Sequence, residues 1–149
     1  MTKELNRHEI REKALQSLFP LDFNLDLTKE DAIQNALMLE QQELVDEEQE
    51  NFVPTYLDLL VTGVIEKKAE LDALIQQNLT KKWTLNRIAK TDLIILRMAI
   101  FEMNYVNDEQ VPNKVAVNEA VELTKKFSDD ASSKFVNGVL SSVLKEINE

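Results

Sequence analysis

The chain has no cysteine, two glycines, three prolines and one histidine in 149 residues, and aromatic residues make up only 6 % of it. Without cysteine there is no disulfide framework, no thiolate zinc site and no thiol nucleophile, and nothing requires an oxidising compartment. So few turn residues leave little room for the hairpins of a β-sheet protein. No apolar run approaches the roughly 18 residues of a membrane span. The opening MTKELNRHEIREK is charged where a signal peptide would be apolar. The expectation is a cytoplasmic protein that makes no membrane contact.

What is present is Leu, Glu, Lys, Gln and Ala in abundance, an all-α composition. The length fits one domain that buries roughly two-thirds of the surface its unfolded chain exposes. The net charge of −10 argues against nucleic acid, but it is unevenly spread. Residues 21–60 hold one Lys/Arg against eleven acids, whereas residues 1–20 hold four against three. The acidity sits in one segment and the remainder is close to neutral.

Asn6 followed by Glu9 reads as a capping box for a first helix through Ile10, Ala14, Leu15 and Leu18, which Pro20 is expected to stop. Thr28 with Asp31 caps a second helix, expected to run through Ile33, Ala36, Leu37 and Leu44 into the acidic DEEQE at 46–50, a solvated helix end or loop. Pro54 suits the first turn of a long third helix with Leu57, Leu60, Val61, Val64, Leu71, Leu74 and Ile75 on its stripe. LTKKW interrupts the pattern and makes residues 78–83 the expected seam between two halves.

TLNRIAK offers a short helix capped by Thr84, and Thr91 with Asp92 can cap the next. That helix, with Ile94, Ile95, Met98 and Phe101, is apolar almost all round and expected to be buried. Pro112 opens a sixth helix, and Ser128 or Asp130 caps a last one through ASSKFVNGVLSSVLKEI. The sum is about seven helices in two small bundles, an N-terminal one over about 1–79 and a C-terminal one over about 80–149.

No glycine-rich phosphate loop, HExxH, G-x-S-x-G or calcium loop occurs, so the sequence is nearly silent as an enzyme. No cofactor is implied. His8 has Glu4 and Glu12 on its face and reads as a surface or structural residue rather than a metal ligand. Lys3, Arg7 and Arg11, at i, i+4 and i+8, are read as one basic stripe opposite Ile10, Ala14 and Leu18. Such a stripe either tracks a phosphate backbone or is a solvated face paired with Glu4, Glu9 and Glu12.

Trp83 at the seam is read as a boundary packing residue, and Phe135 as core or as a ring offered to a nucleobase. Gly63 and Gly138 sit inside helices, where glycine costs roughly 1 kcal/mol relative to alanine. Both are read as letting another helix approach closely.

TDLIILRMAIFEM, VPNKVAVNEAVELTKKF and SSKFVNGVL, in this order and with these gaps, closely resemble the NusB transcription antitermination family. RxxxRxxALQSLF at 7–19 looks like that family's opening helix. The resemblance implies one all-α NusB-like domain over residues 1–149, built of two perpendicular helical bundles and without catalytic activity. Proteins like it bind the boxA element of nascent RNA from ribosomal RNA operons. They do so together with a small-subunit ribosomal protein, called NusE in this role, and join elongating RNA polymerase with other Nus factors.

By residue-wise carry-over, Arg7 and Arg11 match the arginine-rich first helix, with Lys3 on the same stripe. Lys134 and Phe135 match a lysine and phenylalanine beside the RNA. Arg97, Lys114 and Lys81 match positions further along that track. Asp92 resembles the family's acidic contact to the ribosomal protein, and Asn118 with Glu119 either binds a ligand or makes buried bundle hydrogen bonds. Where many relatives carry adjacent arginines, this chain has NRHEIREK, which implies weaker RNA binding alone and strong reliance on the protein partner.

A purely protein-binding helical module is the rival reading. An RNA-modifying methyltransferase with a NusB-like N-terminal domain is a third, disfavoured because no cofactor-binding fold follows within the 149 residues. Whether the free protein forms a weak homodimer stays open.

Overall fold

The computed structural model describes residues 5–39, 53–80, 82–106 and 109–148. Among them are six α-helices and no strand: α1 (Arg7–Phe23), α2 (Lys29–Met38), α3 (Thr55–Gln77), α4 (Lys90–Tyr105), α5 (Asn113–Phe127) and α6 (Asp130–Asn148). The seventh expected helix, at TLNRIAK, is a single 3₁₀ turn over Leu85–Arg87, with no side-chain cap from Thr84. Three residues close only one turn, too few to propagate a helix.

Local signals account for most boundaries. At the start of α1 the Glu9 N–H donates to Asn6 Oδ1 at 2.8 Å, and the Asn6 N–H donates to Glu9 Oε1 at 3.1 Å, completing the capping box. Thr28 Oγ1 accepts from the Asp31 N–H at 3.1 Å and starts α2. The last helix is capped by Asp129, which neither expected residue anticipated: its Oδ1 accepts from the Ser132 N–H at 2.7 Å.

Three boundaries depart from the sequence reading. Pro20 does not stop α1, which runs one further turn to Phe23 and closes with the Asn24 N–H donating to the Pro20 carbonyl at 3.0 Å. Proline removes the bond to the Gln16 carbonyl and crowds it, and only three residues of helix follow. The second helix ends at Met38, where Leu39 turns extended, rather than continuing through Leu44. The rest of that expectation, including the acidic run 46–50, lies outside the described residues. Neither Thr91 nor Asp92 caps α4, whose N-cap is Ala89 with no side-chain bond.

The chain divides into two compact units, Met1–Thr62 and Gly63–Glu149, with the division inside α3. In the first, α1 packs against α2, and Ile10, Ala14, Leu18, Ala32, Ile33, Leu57 and Leu60 are buried. Lys13, also buried, donates from Nζ to the Leu39 carbonyl at 3.1 Å, using its charge to hold the chain leaving α2. In the second unit α4 is the central element, packed against α5 and α6. Every residue from Asp92 to Met103 is buried, as an all-round apolar helix requires.

Gly63 is placed by that packing. A Cβ there would meet the Phe101 ring, with Cε1 at 2.8 Å and two further ring carbons closer still. Only glycine lets the ring reach the α3 backbone. Gly138 corrects the parallel expectation: it is exposed, and nothing lies within 4 Å of where its Cβ would stand. It admits no neighbouring helix.

Candidate functional site

The sequence-chosen residues do not form one exposed set. In the first unit Arg7 is exposed at the start of α1, with its Cζ 3.5 Å from the centroid of the Tyr56 ring. This cation–π contact contributes about 0.5–1 kcal/mol at an exposed site and orients the guanidinium. Arg11 is only 3 % exposed. The sequence reading put it opposite the apolar face, which is a misreading of the helix period. Arg11 stands three residues before Ala14 and seven before Leu18, and such offsets return to the same face. Lys3 lies outside the described residues. His8 is exposed, its Nε2 3.7 Å from Oε2 of Glu12 one turn on, whose side chain is largely buried.

In the second unit Arg97 is also buried, 4 % exposed. Its Nε donates to Asp72 Oδ1 at 2.7 Å and its Nη2 to Asp72 Oδ2 at 3.1 Å, a bidentate pair between α4 and α3. The planar fork suits a carboxylate as well as a phosphate, and here the chain itself occupies it. Asp92, 4 % exposed, sits in the first turn of α4, where the helix dipole favours a carboxylate. Its Oδ2 accepts from Ser132 Oγ at 2.6 Å, and Ser132 Oγ accepts from Ser128 Oγ at 2.9 Å. Asp92 Oδ1 is buried with no hydrogen-bond partner among the described residues.

Lys114, in the first turn of α5, and Lys134, in the second turn of α6, are exposed. Neither has an ion-pair or hydrogen-bond partner among the described residues. Phe135 is half-buried, and its ring lies 5.8 Å from that of Trp83, tilted by 41°. Trp83 is 42 % exposed; the sequence reading preferred a boundary packing residue to a stacking platform there. The available signal was its local context: Lys82-Trp83 and Lys134-Phe135 are both lysine–aromatic steps, and both lysines are exposed. Nothing along the chain says that two such steps meet across 52 positions.

The backbone that carries Trp83 is held by hydrogen bonds. Gln76 Nε2 donates to the Trp83 carbonyl at 3.2 Å, and Gln76 Oε1 accepts from the Leu85 N–H at 3.3 Å. One α3 side chain therefore binds the backbone on both sides of Thr84, and the Trp83 N–H donates to the Thr80 carbonyl at 3.0 Å. Lys81 lies outside the described residues. On α5, Asn118 is exposed, so the buried hydrogen bond considered for it is not made; Glu119 is half-buried and has a partner.

Among the described residues the fold is all-helical, with exposed lysines at Lys114 and Lys134 and a Trp83–Phe135 ring contact. The NusB family model matches residues 8–145, and the chain belongs to the NusB family. It is 66 % identical to the transcription antitermination protein NusB of Enterococcus faecalis, over 97 % of this chain and 93 % of that protein. It is 56 % identical to the same-named protein of Lactiplantibacillus plantarum, over 95 % and 96 %. Among solved structures, NusB of T. maritima superposes with a TM-score of 0.78 at 29 % identity, covering 97 % of this chain and 94 % of that one. A structure of antitermination factors NusB and NusE in complex with dsRNA shares the fold, with a TM-score of 0.74 at 22 % identity over 94 % and 96 %.

Proposed function

We propose that this protein is a non-enzymatic, cytoplasmic RNA-binding transcription antitermination factor. It binds boxA RNA of ribosomal RNA operons with the ribosomal protein NusE, and acts on elongating RNA polymerase with other Nus factors. The observation that carries the reading is the Trp83–Phe135 pair next to Lys134, which has no partner among the described residues, in a chain 66 % identical to a protein named for antitermination. Exposed rings stack on bases, and flanking lysines meet phosphates.

In this reading Lys134 and Phe135 contact RNA directly, Trp83 extends the stacking surface, and Arg7 and Lys114 add phosphate contacts. Lys3 and Lys81 belong to the same proposed set. Arg11 and Arg97, both buried, enter as residues that hold their helices. The Asp92 region docks NusE: Asp92, buried itself, fixes the α4–α6 junction through Ser132 and so shapes the surface above it. The whole chain, residues 1–149, is read as one NusB-like domain, although its two compact units divide at 62/63 rather than at the seam expected at 78–83.

The test is a titration of labelled boxA RNA with this protein, with and without NusE, at two salt concentrations and against a scrambled RNA. The reading requires a boxA preference that NusE strengthens and salt weakens. NusE binding with no RNA preference would overturn it in favour of a protein-docking module.

A further inference from the structure

Asp130, Lys134, Asn137, Gly138, Ser141 and Lys145 are all exposed, and their spacing lines them up along the outward face of α6. Gly138 is the anomaly in that row. It lies well inside the helix, its backbone is not in the left-handed region, and a Cβ would meet nothing within 4 Å. Neither conformation nor packing among the described residues accounts for it, and alanine would make a firmer helix.

A side chain missing from an open helix face has one remaining steric use: it lets something outside the chain come down onto the backbone. The neighbours indicate what that is. Lys134, one turn earlier, has no partner among the described residues and offers a cation. Phe135 offers a ring beside Trp83. Asn137, exposed next to the glycine, offers an amide that both donates and accepts. A cation, an aromatic face and an amide around a bare patch of helix match the phosphate, base and sugar hydroxyl of a ribonucleotide.

We propose that Gly138 is the point of closest approach of bound single-stranded RNA on α6. The sugar–phosphate chain crosses the Lys134–Gly138 turn with a phosphate on Lys134 Nζ, a ribose against the Gly138 Cα and the Asn137 amide on the 2′-hydroxyl. Asp130, at the start of the row, repels phosphate, and Lys145, near its end, attracts it, so the strand leaves Lys134 towards Lys145. The proposal rests on the RNA-binding reading above and adds to it the residue that sets how near the strand comes.

The test is Gly138→Ala in the full chain, read by thermal denaturation and by titration with labelled boxA RNA and with NusE. The expected result is an opposed pair: Tm rises by about 3 °C, while RNA affinity falls about fivefold or more, the low end of steric overpacking. Gly138→Leu weakens RNA binding further and still folds. Lys134→Glu, measured alongside, reports on the RNA-binding reading itself. If Lys134→Glu weakens RNA binding and Gly138→Ala does not, that reading stands and the proposal is overturned. If Gly138→Ala loses NusE while keeping RNA, the face belongs to the protein partner and the proposal fails. A fall in Tm would overturn the open-face premise, and wild-type protein that binds no RNA would remove the reading and the proposal together.

Discussion

The α3–α4 contact and the outward face of α6 use the same two devices, a glycine and a cation, to opposite ends. At the α3–α4 contact Gly63 receives the Phe101 ring and Arg97 is paired by both oxygens of Asp72. On α6, Gly138 receives nothing and Lys134 has no partner among the described residues. The chain itself satisfies the first pair and leaves the second open. The comparison teaches that residue type does not separate structural from functional use; what separates them is whether the fold answers the residue's requirement internally.

Arg97→Ala breaks the inner pair most severely. Removing one partner of a buried ion pair costs about 3 kcal/mol, at the low end because the Asp72 side chain is 21 % exposed. A urea midpoint shift with unchanged m checks it, and replacing both residues by apolar ones of similar volume recovers most of the loss. Gly63→Ala follows at about 2 kcal/mol of overpacking. Phe101→Leu in the same chain offsets part of that loss, a non-additivity that a double-mutant cycle measures. The same substitution at Gly138 goes the other way, so the sign of Gly→Ala at the two sites is the sharpest form of the comparison.

Lys134→Glu leaves stability within about 0.5 kcal/mol. It weakens boxA binding about tenfold and lowers the salt slope by about one, because one phosphate contact is lost. A titration at several salt concentrations distinguishes this from unfolding.

The smallest effect is at the end of α4, where Tyr105 donates its hydroxyl to Glu70 and its pKa is raised above 10.0, first by that bond, then by desolvation and the carboxylate charge. The folded protein holds the proton more tightly than the unfolded chain does. The associated stability is present below about pH 10 and is lost as pH rises through the raised value. Glu70→Gln moves the tyrosinate absorbance transition to lower pH; an unmoved transition would mean that the pair is not formed in solution.

The sequence by itself determined the helical class, the capping box at Asn6 and Glu9, the Thr28 cap and the burial of α4. Each depends on residues within a few positions of one another, on hydrogen-bond partners three residues apart or an apolar period of 3.6. It also carried the family resemblance, in VAVNEAVELTKKF and KFVNGVL. Tertiary structure alone decided that Arg11 and Arg97 point inward, that Trp83 joins Phe135, and that Gly63 is filled while Gly138 is bare. A guanidinium can snorkel to water or pair with a distant carboxylate. A glycine's neighbours are set by whichever helix crosses it, and these outcomes turn on contacts far apart in sequence that no local pattern encodes.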